Sequence, residues 1–129
     1  MTFGILGSGS WGTALAKILT DNGQHIYWWN RSEEAIRQFR LRQHNPQYLS
    51  SARFDMNLIN LTSHAEEVIS KSDVVVIAVP SAYATDVLSP LDKGIFEGKK
   101  ILSAIKGILP EQNRLLNDYL KDIFSVELS

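Results

Sequence analysis

Gly7-Ser8-Gly9-Ser10-Trp11-Gly12 follows the short apolar run Phe3-Gly4-Ile5-Leu6 and precedes a stretch of helical periodicity. G-x-G-x-x-G between a strand and a helix is a spacing that binds pyrophosphate. Gly7 permits the tight turn, Gly9 lets the backbone approach the phosphates, and Gly12 lets the helix pack close to the strand. The helix amino terminus then offers unpaired N–H groups and partial positive charge, with Ser8, Ser10 and Trp11 in the same loop. The chemistry implied is dinucleotide binding. The bland alternative is a glycine-rich turn in an α/β domain without a ligand.

Two rival motifs fail on the same residues. Gly7 and Gly12 have P-loop spacing, but Thr13-Ala14 follows where Lys-Ser/Thr is required, so the β/γ-phosphate contact is missing. Ser10 and Gly12 resemble half of a nucleophile elbow, but the first glycine of G-x-S-x-G falls at Ser8.

The second apolar run ends in Trp29-Asn30-Arg31-Ser32, with no carboxylate before Glu33. An NAD-preferring fold places Asp or Glu there to accept from the ribose 2′-OH. Arg31 can instead pair with a 2′-phosphate and stack on adenine. The expected cofactor is NADP or NAD, with NADP favoured; the competing reading makes Arg31 a solvated residue at a helix start. Lys106 follows the run Lys100–Ile105 in Ser103-Ala104-Ile105-Lys106-Gly107-Ile108. Ligands of open α/β sheets bind at the carboxyl ends of strands. Lys106 there can hold a substrate phosphate or polarise a carbonyl as hydride arrives, or else be a surface lysine in a connecting loop.

The elements that must position these residues alternate. Phe3–Leu6, Ile26–Trp29, Leu58–Leu61, Val74–Val79 and Lys100–Ile105 read as strands. Trp11, Ala14, Leu15, Ile18 and Leu19 recur at helical spacing, with Gly23 as a stop. A polar helix runs from about Ser32 with Ala35, Ile36 and Phe39 inward. His44–Asn57 has no period and is a loop. Ser63-His64-Ala65-Glu66 fits a capping box that opens a helix to about Lys71. Pro80-Ser81 starts another helix, and Pro110 a last one with Leu116, Tyr119, Leu120 and Ile123 on its apolar face. The unbroken Val74–Val79 run predicts burial on both sheet faces. The fold class is α/β: a Rossmann-type, doubly wound parallel sheet of about five strands with helices on both faces. Residues 1–129 form one such domain, ending where a sixth strand is due.

Composition narrows the function classes. The 129 residues are 44% hydrophobic and 21% charged, as in a globular domain with one core. Lys plus Arg is 13 against 14 Asp plus Glu, a net charge of −1, which speaks against a nucleic-acid domain. Arg31, Arg37, Arg40, Arg42 and Arg53 make one segment basic, as a solvated helix face does. There is no cysteine, which excludes disulfides, thiolate metal sites and a cysteine nucleophile. His25, His44 and His64 lack ligand spacing, so no metal is expected. His25 and the tryptophans read as packing or cofactor-adjacent residues. No apolar run is long enough to span a bilayer, and no secretory signal is visible. The expected location is the cytoplasm.

Taken together, Gly7-Ser8-Gly9-Ser10-Trp11-Gly12-Thr13-Ala14-Leu15-Ala16, Asn45-Pro46-Gln47-Tyr48-Leu49, Val79-Pro80-Ser81 and Lys106-Gly107-Ile108 resemble NAD(P)-dependent glycerol-3-phosphate dehydrogenase of the bacterial type. The resemblance covers the whole chain and only the family's amino-terminal half. It implies reversible reduction of dihydroxyacetone phosphate to sn-glycerol 3-phosphate, feeding phospholipid synthesis. It places Ser10 and Trp11 at the pyrophosphate, Arg31 at the adenosine ribose, Tyr48 on the adenine side, Pro80 among the cofactor contacts, and Lys106 facing nicotinamide and substrate. It also implies a helical carboxy-terminal domain, absent here, that carries the main catalytic lysine and any homodimer interface. The expectation is cofactor binding with little or no turnover by these 129 residues. Ketopantoate reductases and 6-phosphogluconate-type dehydrogenases share the glycine loop, but the Trp11–Ala14 run and Lys106-Gly107 argue against them. A non-catalytic NAD(P)-sensing module remains the alternative from another class.

Overall fold

The computed structural model describes residues 2–42, 54–79, 81–103, 108–109 and 114–115. The main elements are β1 (Phe3–Leu6), α1 (Ser10–Asp21), β2 (Ile26–Trp29), α2 (Glu33–Arg42), β3 (Ile59–Thr62), α3 (Ala65–Ser70), β4 (Val74–Ile77), α4 (Ser81–Leu88) and β5 (Lys100–Ser103). The five strands form one sheet in the order β3-β2-β1-β4-β5. Every pairing in it is parallel. The central strand β1 ends in register with both neighbours: Leu6 lies beside Trp29 on one side and Ile77 on the other. The chain reverses direction across the sheet at this point, because β2 and β3 lie to one side of β1 and β4 and β5 to the other. Such a switch point leaves a crevice at the strands' carboxyl ends.

Strand periodicity divides the core. Ile5, Trp28, Val76 and Ala78 pack on one face with Ala16 of α1 and Ile36 and Phe39 of α2. Leu6, Trp29, Val75, Ile77 and Val79 pack on the other with Val68 and Ile69 of α3 and Ala84 and Leu88 of α4. Val74–Val79 is buried throughout, as the unbroken apolar run predicts. Each such valine stabilises the fold by about 1.5–3 kcal/mol relative to exposure. Trp28, Phe39 and Phe54 form an aromatic cluster with ring centroids 5.2–5.8 Å apart.

Four local expectations need correction. The inward face of α1 is Gly12, Thr13, Ala16 and Thr20, whereas Trp11 and Ile18 are 63% and 56% exposed. Close packing on β1 selects the small residues, and Leu15 and Leu19 are only half-buried. The amino terminus of α3 is not a capping box: His64 is the N-cap and its side chain makes no capping bond. Thr62 at the end of β3 instead ties the turn into the helix, accepting from the His64 N–H at 3.1 Å and donating to the Glu67 carboxylate at 3.3 Å. Ser63 instead donates to Glu33 at 3.2 Å. Within the stretch read as a loop, Met56–Leu58 form a 3-10 turn capped by Asp55. After β5, the short strands β6 (Ile108–Leu109) and β7 (Arg114–Leu115) pair antiparallel, so 114–115 is strand and not helix. Pro110, Leu116, Tyr119, Leu120 and Ile123, named for that helix, lie outside the described residues.

Candidate functional site

The glycine loop joins β1 to α1 at the switch point. Gly7 has φ +117°, and a Cβ there would stand 2.8 Å from the Ala78 carbonyl. A side chain is therefore excluded by both conformation and space. A Cβ on Gly12 would collide with the Gly7 carbonyl oxygen, so the helix can approach the strand this closely only without one. Gly9 differs: its φ is −71° and its missing Cβ would face open space, with no heavy atom within 4 Å. The three positions thus divide into two structural glycines and one that keeps an approach clear.

The loop is tied down from β2. The Gly7 N–H donates to the Trp29 carbonyl at 3.3 Å. The buried Trp28 indole Nε1 donates to the Gly7 carbonyl at 2.8 Å. On the helix side, Thr13 Oγ1 donates to the Ser8 carbonyl at 3.1 Å, and the Thr13 N–H to the Gly9 carbonyl at 2.9 Å. The amino terminus of α1 has no side-chain cap and no acidic residue in its first turn. Its positive end is left for an external anion.

A cavity of about 290 Å³ opens in front of this loop. Gly7, Ser8 and Gly9 line it from the loop, Trp29 and Arg31 from the β2 side, and Val79 and Tyr83 from the β4–α4 side. The donor set suits a dinucleotide: helix N–H groups, an unobstructed glycine, a guanidinium and an apolar wall. Arg31 is exposed, with its guanidinium 5.3 Å from the Tyr83 ring centroid. Arg37 pairs with Glu34, and Arg40 donates to the Leu61 carbonyl at 2.9 Å. Among the described residues Arg31 has no carboxylate partner. Asn30 and Ser32 are engaged locally: Asn30 Oδ1 accepts from the Ser32 N–H at 3.0 Å, and Ser32 Oγ accepts from the Ala35 N–H at 3.1 Å to cap α2. A larger depression of about 770 Å³ carries Glu66, Glu67 and Asp92. Its charge disfavours phosphates, and it does not include the loop.

Of the residues singled out in the sequence, Gly7, Ser8, Gly9 and Arg31 meet around one cavity. Ser10, Trp11 and Gly12 form the first turn of α1 beside it. Tyr48, Pro80 and Lys106 lie outside the described residues. His25 pairs with the Asn60 amide at 2.8 Å, and its ring lies tilted beside that of Tyr27, 5.7 Å between centroids. Sequence reasoning missed Tyr83 and the anchoring role of Trp28. An aromatic residue just beyond Val79-Pro80-Ser81, at the carboxyl end of a strand adjoining the loop, was the available signal for Tyr83. Among the described residues no three His, Cys, Asp or Glu side chains cluster as metal ligands. No helix among them is long and apolar enough to cross a membrane.

A family model described as NAD-dependent glycerol-3-phosphate dehydrogenase N-terminus matches residues 2–128. The chain belongs to this family. Among glycerol-3-phosphate dehydrogenases [NAD(P)+], that of Ectopseudomonas mendocina is 34% identical over 119 residues, 92% of this chain and 34% of the relative. That of Staphylococcus carnosus is 30% identical over 123 residues, 95% of this chain and 37% of the relative. The chain therefore spans about a third of the length of these curated glycerol-3-phosphate dehydrogenases. The solved glycerol-3-phosphate dehydrogenase of Coxiella burnetii superposes with a TM-score of 0.85 at 24% identity, over 98% of this chain and 38% of that one. An imine reductase from Pseudomonas sp. matches with a TM-score of 0.67 at 26% identity, over 98% of this chain and 39% of that one. The parallel five-stranded sheet is thus the dehydrogenase family's fold, and it is shared with other reductases.

Proposed function

We propose that the chain binds NADP(H), and less tightly NAD(H), as the cofactor domain of a glycerol-3-phosphate dehydrogenase. The carrying observation is the open Gly9 before an uncapped α1, with Gly7 and Gly12 locked by packing on either side. The pyrophosphate lies against Gly9 and the first turn of α1. Ser8, Ser10 and Trp11 flank it, Arg31 takes the ribose 2′-phosphate, and Tyr48 and Pro80 complete the contacts. The described residues of this site fit such a ligand: its one cation lacks an acidic partner, and its wall at Trp29 and Val79 is apolar and buried.

When bound, the reduced nicotinamide would supply hydride to the carbonyl carbon of dihydroxyacetone phosphate, and a proton from solvent on the resulting alkoxide would complete the alcohol of sn-glycerol 3-phosphate. Lys106, which comes after β5 in sequence, contacts the substrate carbonyl or phosphate. A cation there stabilises negative charge developing on the oxygen. The product serves glycerophospholipid synthesis. Titration of the 129-residue chain with NADPH and NADH, followed by calorimetry, tests the cofactor assignment. Saturable binding with NADPH tighter is expected. No binding of either nucleotide overturns it, and equal or tighter NADH overturns the NADP preference. In a dehydrogenase that carries this domain, Lys106→Ala is expected to depress turnover far more than it weakens NADPH binding.

A further inference from the structure

Tyr83 belongs to no part of the glycine motif, yet it completes the cavity opposite Arg31. It lies in the first turn of α4, whereas Arg31 lies between β2 and α2. The two therefore reach toward each other from opposite sides of β1. The ring is 48% exposed, so the fold does not need it for the core. The guanidinium sits 5.3 Å from the ring centroid, within cation–π range. Among the described residues it has no carboxylate to neutralise it.

Resting on the cofactor reading above, we propose that Tyr83 is a positioning residue for recognition of the nucleotide's adenosine 2′-phosphate. Its ring backs one face of the Arg31 guanidinium and holds the plane at the cavity mouth. An aromatic ring inserted between the two would need about 7 Å, two contact layers of about 3.5 Å. The 5.3 Å separation excludes that, so the adenosine end meets the outer face and edge of the guanidinium. A carboxylate at position 83 would also orient Arg31, but it would cancel the charge that attracts the phosphate. An aromatic face orients the cation and leaves its N–H groups available.

The test measures Kd for NADPH and NADH by calorimetry in the 129-residue chain and its Tyr83→Ala, Tyr83→Phe, Arg31→Ala and Arg31→Ala/Tyr83→Ala variants. Tyr83→Ala is expected to weaken NADPH about fivefold, the scale of an exposed cation–π contact. NADH affinity falls by clearly less, and the ligand-free melting temperature stays unchanged. Tyr83→Phe keeps the ring and restores NADPH binding, and the double variant binds NADPH no worse than Arg31→Ala alone. The proposal is overturned if Tyr83→Ala leaves NADPH affinity unchanged, weakens both nucleotides equally, or is matched by Tyr83→Phe. Failure of the unsubstituted chain to bind either nucleotide overturns the cofactor reading itself, an outcome visible before any variant is made.

Discussion

The Trp28 indole N–H and the Gly7 carbonyl meet at 2.8 Å inside the core, 21 residues apart in sequence. This bond sets the carbonyl against which Gly12 must pack, and so links β2 to the geometry of the glycine loop. Trp28→Phe removes the donor and leaves a buried carbonyl short of a partner. The expected cost is about 2 kcal/mol from the unpaired group and the lost volume. Urea unfolding should show it as a lower midpoint, accompanied by weaker NADPH binding because the loop loses its anchor.

Gly9→Ala and Gly12→Ala separate binding from folding. At position 9 the backbone suits alanine and the new Cβ meets open space. Stability should hold or rise by about 0.4–1 kcal/mol through the unfolded chain's lost freedom. NADPH affinity should nevertheless fall at least about tenfold, roughly 1.4 kcal/mol, because the methyl fills the pyrophosphate's approach. At position 12 the methyl collides with the Gly7 carbonyl oxygen, and overpacking should cost about 1–3 kcal/mol. Paired unfolding and titration curves decide between the two patterns.

Arg31→Ala should lower NADPH affinity about tenfold, as expected for loss of a charge-assisted bond of about 1.5 kcal/mol. NADH affinity should fall less, because it loses only the contact with the shared adenosine. The residue is exposed, so the unfolding midpoint should not move. An equal loss for both nucleotides would place Arg31 at the shared part of the ligand and not at the 2′-phosphate.

Ser32→Ala probes a residue whose local role the structure resolves. Its hydroxyl accepts from the Ala35 N–H and caps α2. Removing it should cost about 1 kcal/mol in urea unfolding. NADPH affinity should remain unchanged, since the hydroxyl oxygen is engaged with the helix.

The glycine loop and all five sheet strands were legible because their signals are local. G-x-G-x-x-G sits within six consecutive residues, and the Val74–Val79 run states its own two-sided burial. Helix faces were less legible. In α1 the large residues Trp11 and Ile18 mark an apolar stripe, yet the fold turns Gly12, Ala16 and Thr20 inward. Side-chain size favours one face of an isolated helix, and the distance to β1 favours the other. Position 63 shows the same competition. Serine there fits a cap by spacing, but Glu33 of another helix is within reach and Thr62 serves α3 instead.

Order and spacing along the chain thus determined an α/β domain with a glycine-rich turn between β1 and α1 and an arginine where a carboxylate would select NAD. They did so because strand periodicity, glycine conformation and helix ends are properties of neighbouring residues. Only the tertiary structure decided that Trp28 holds Gly7 and that Tyr83 stands against Arg31. Both pairs form because parallel pairing brings the carboxyl ends of β2, β1 and β4 into register, and no local pattern encodes which side chains meet across that edge.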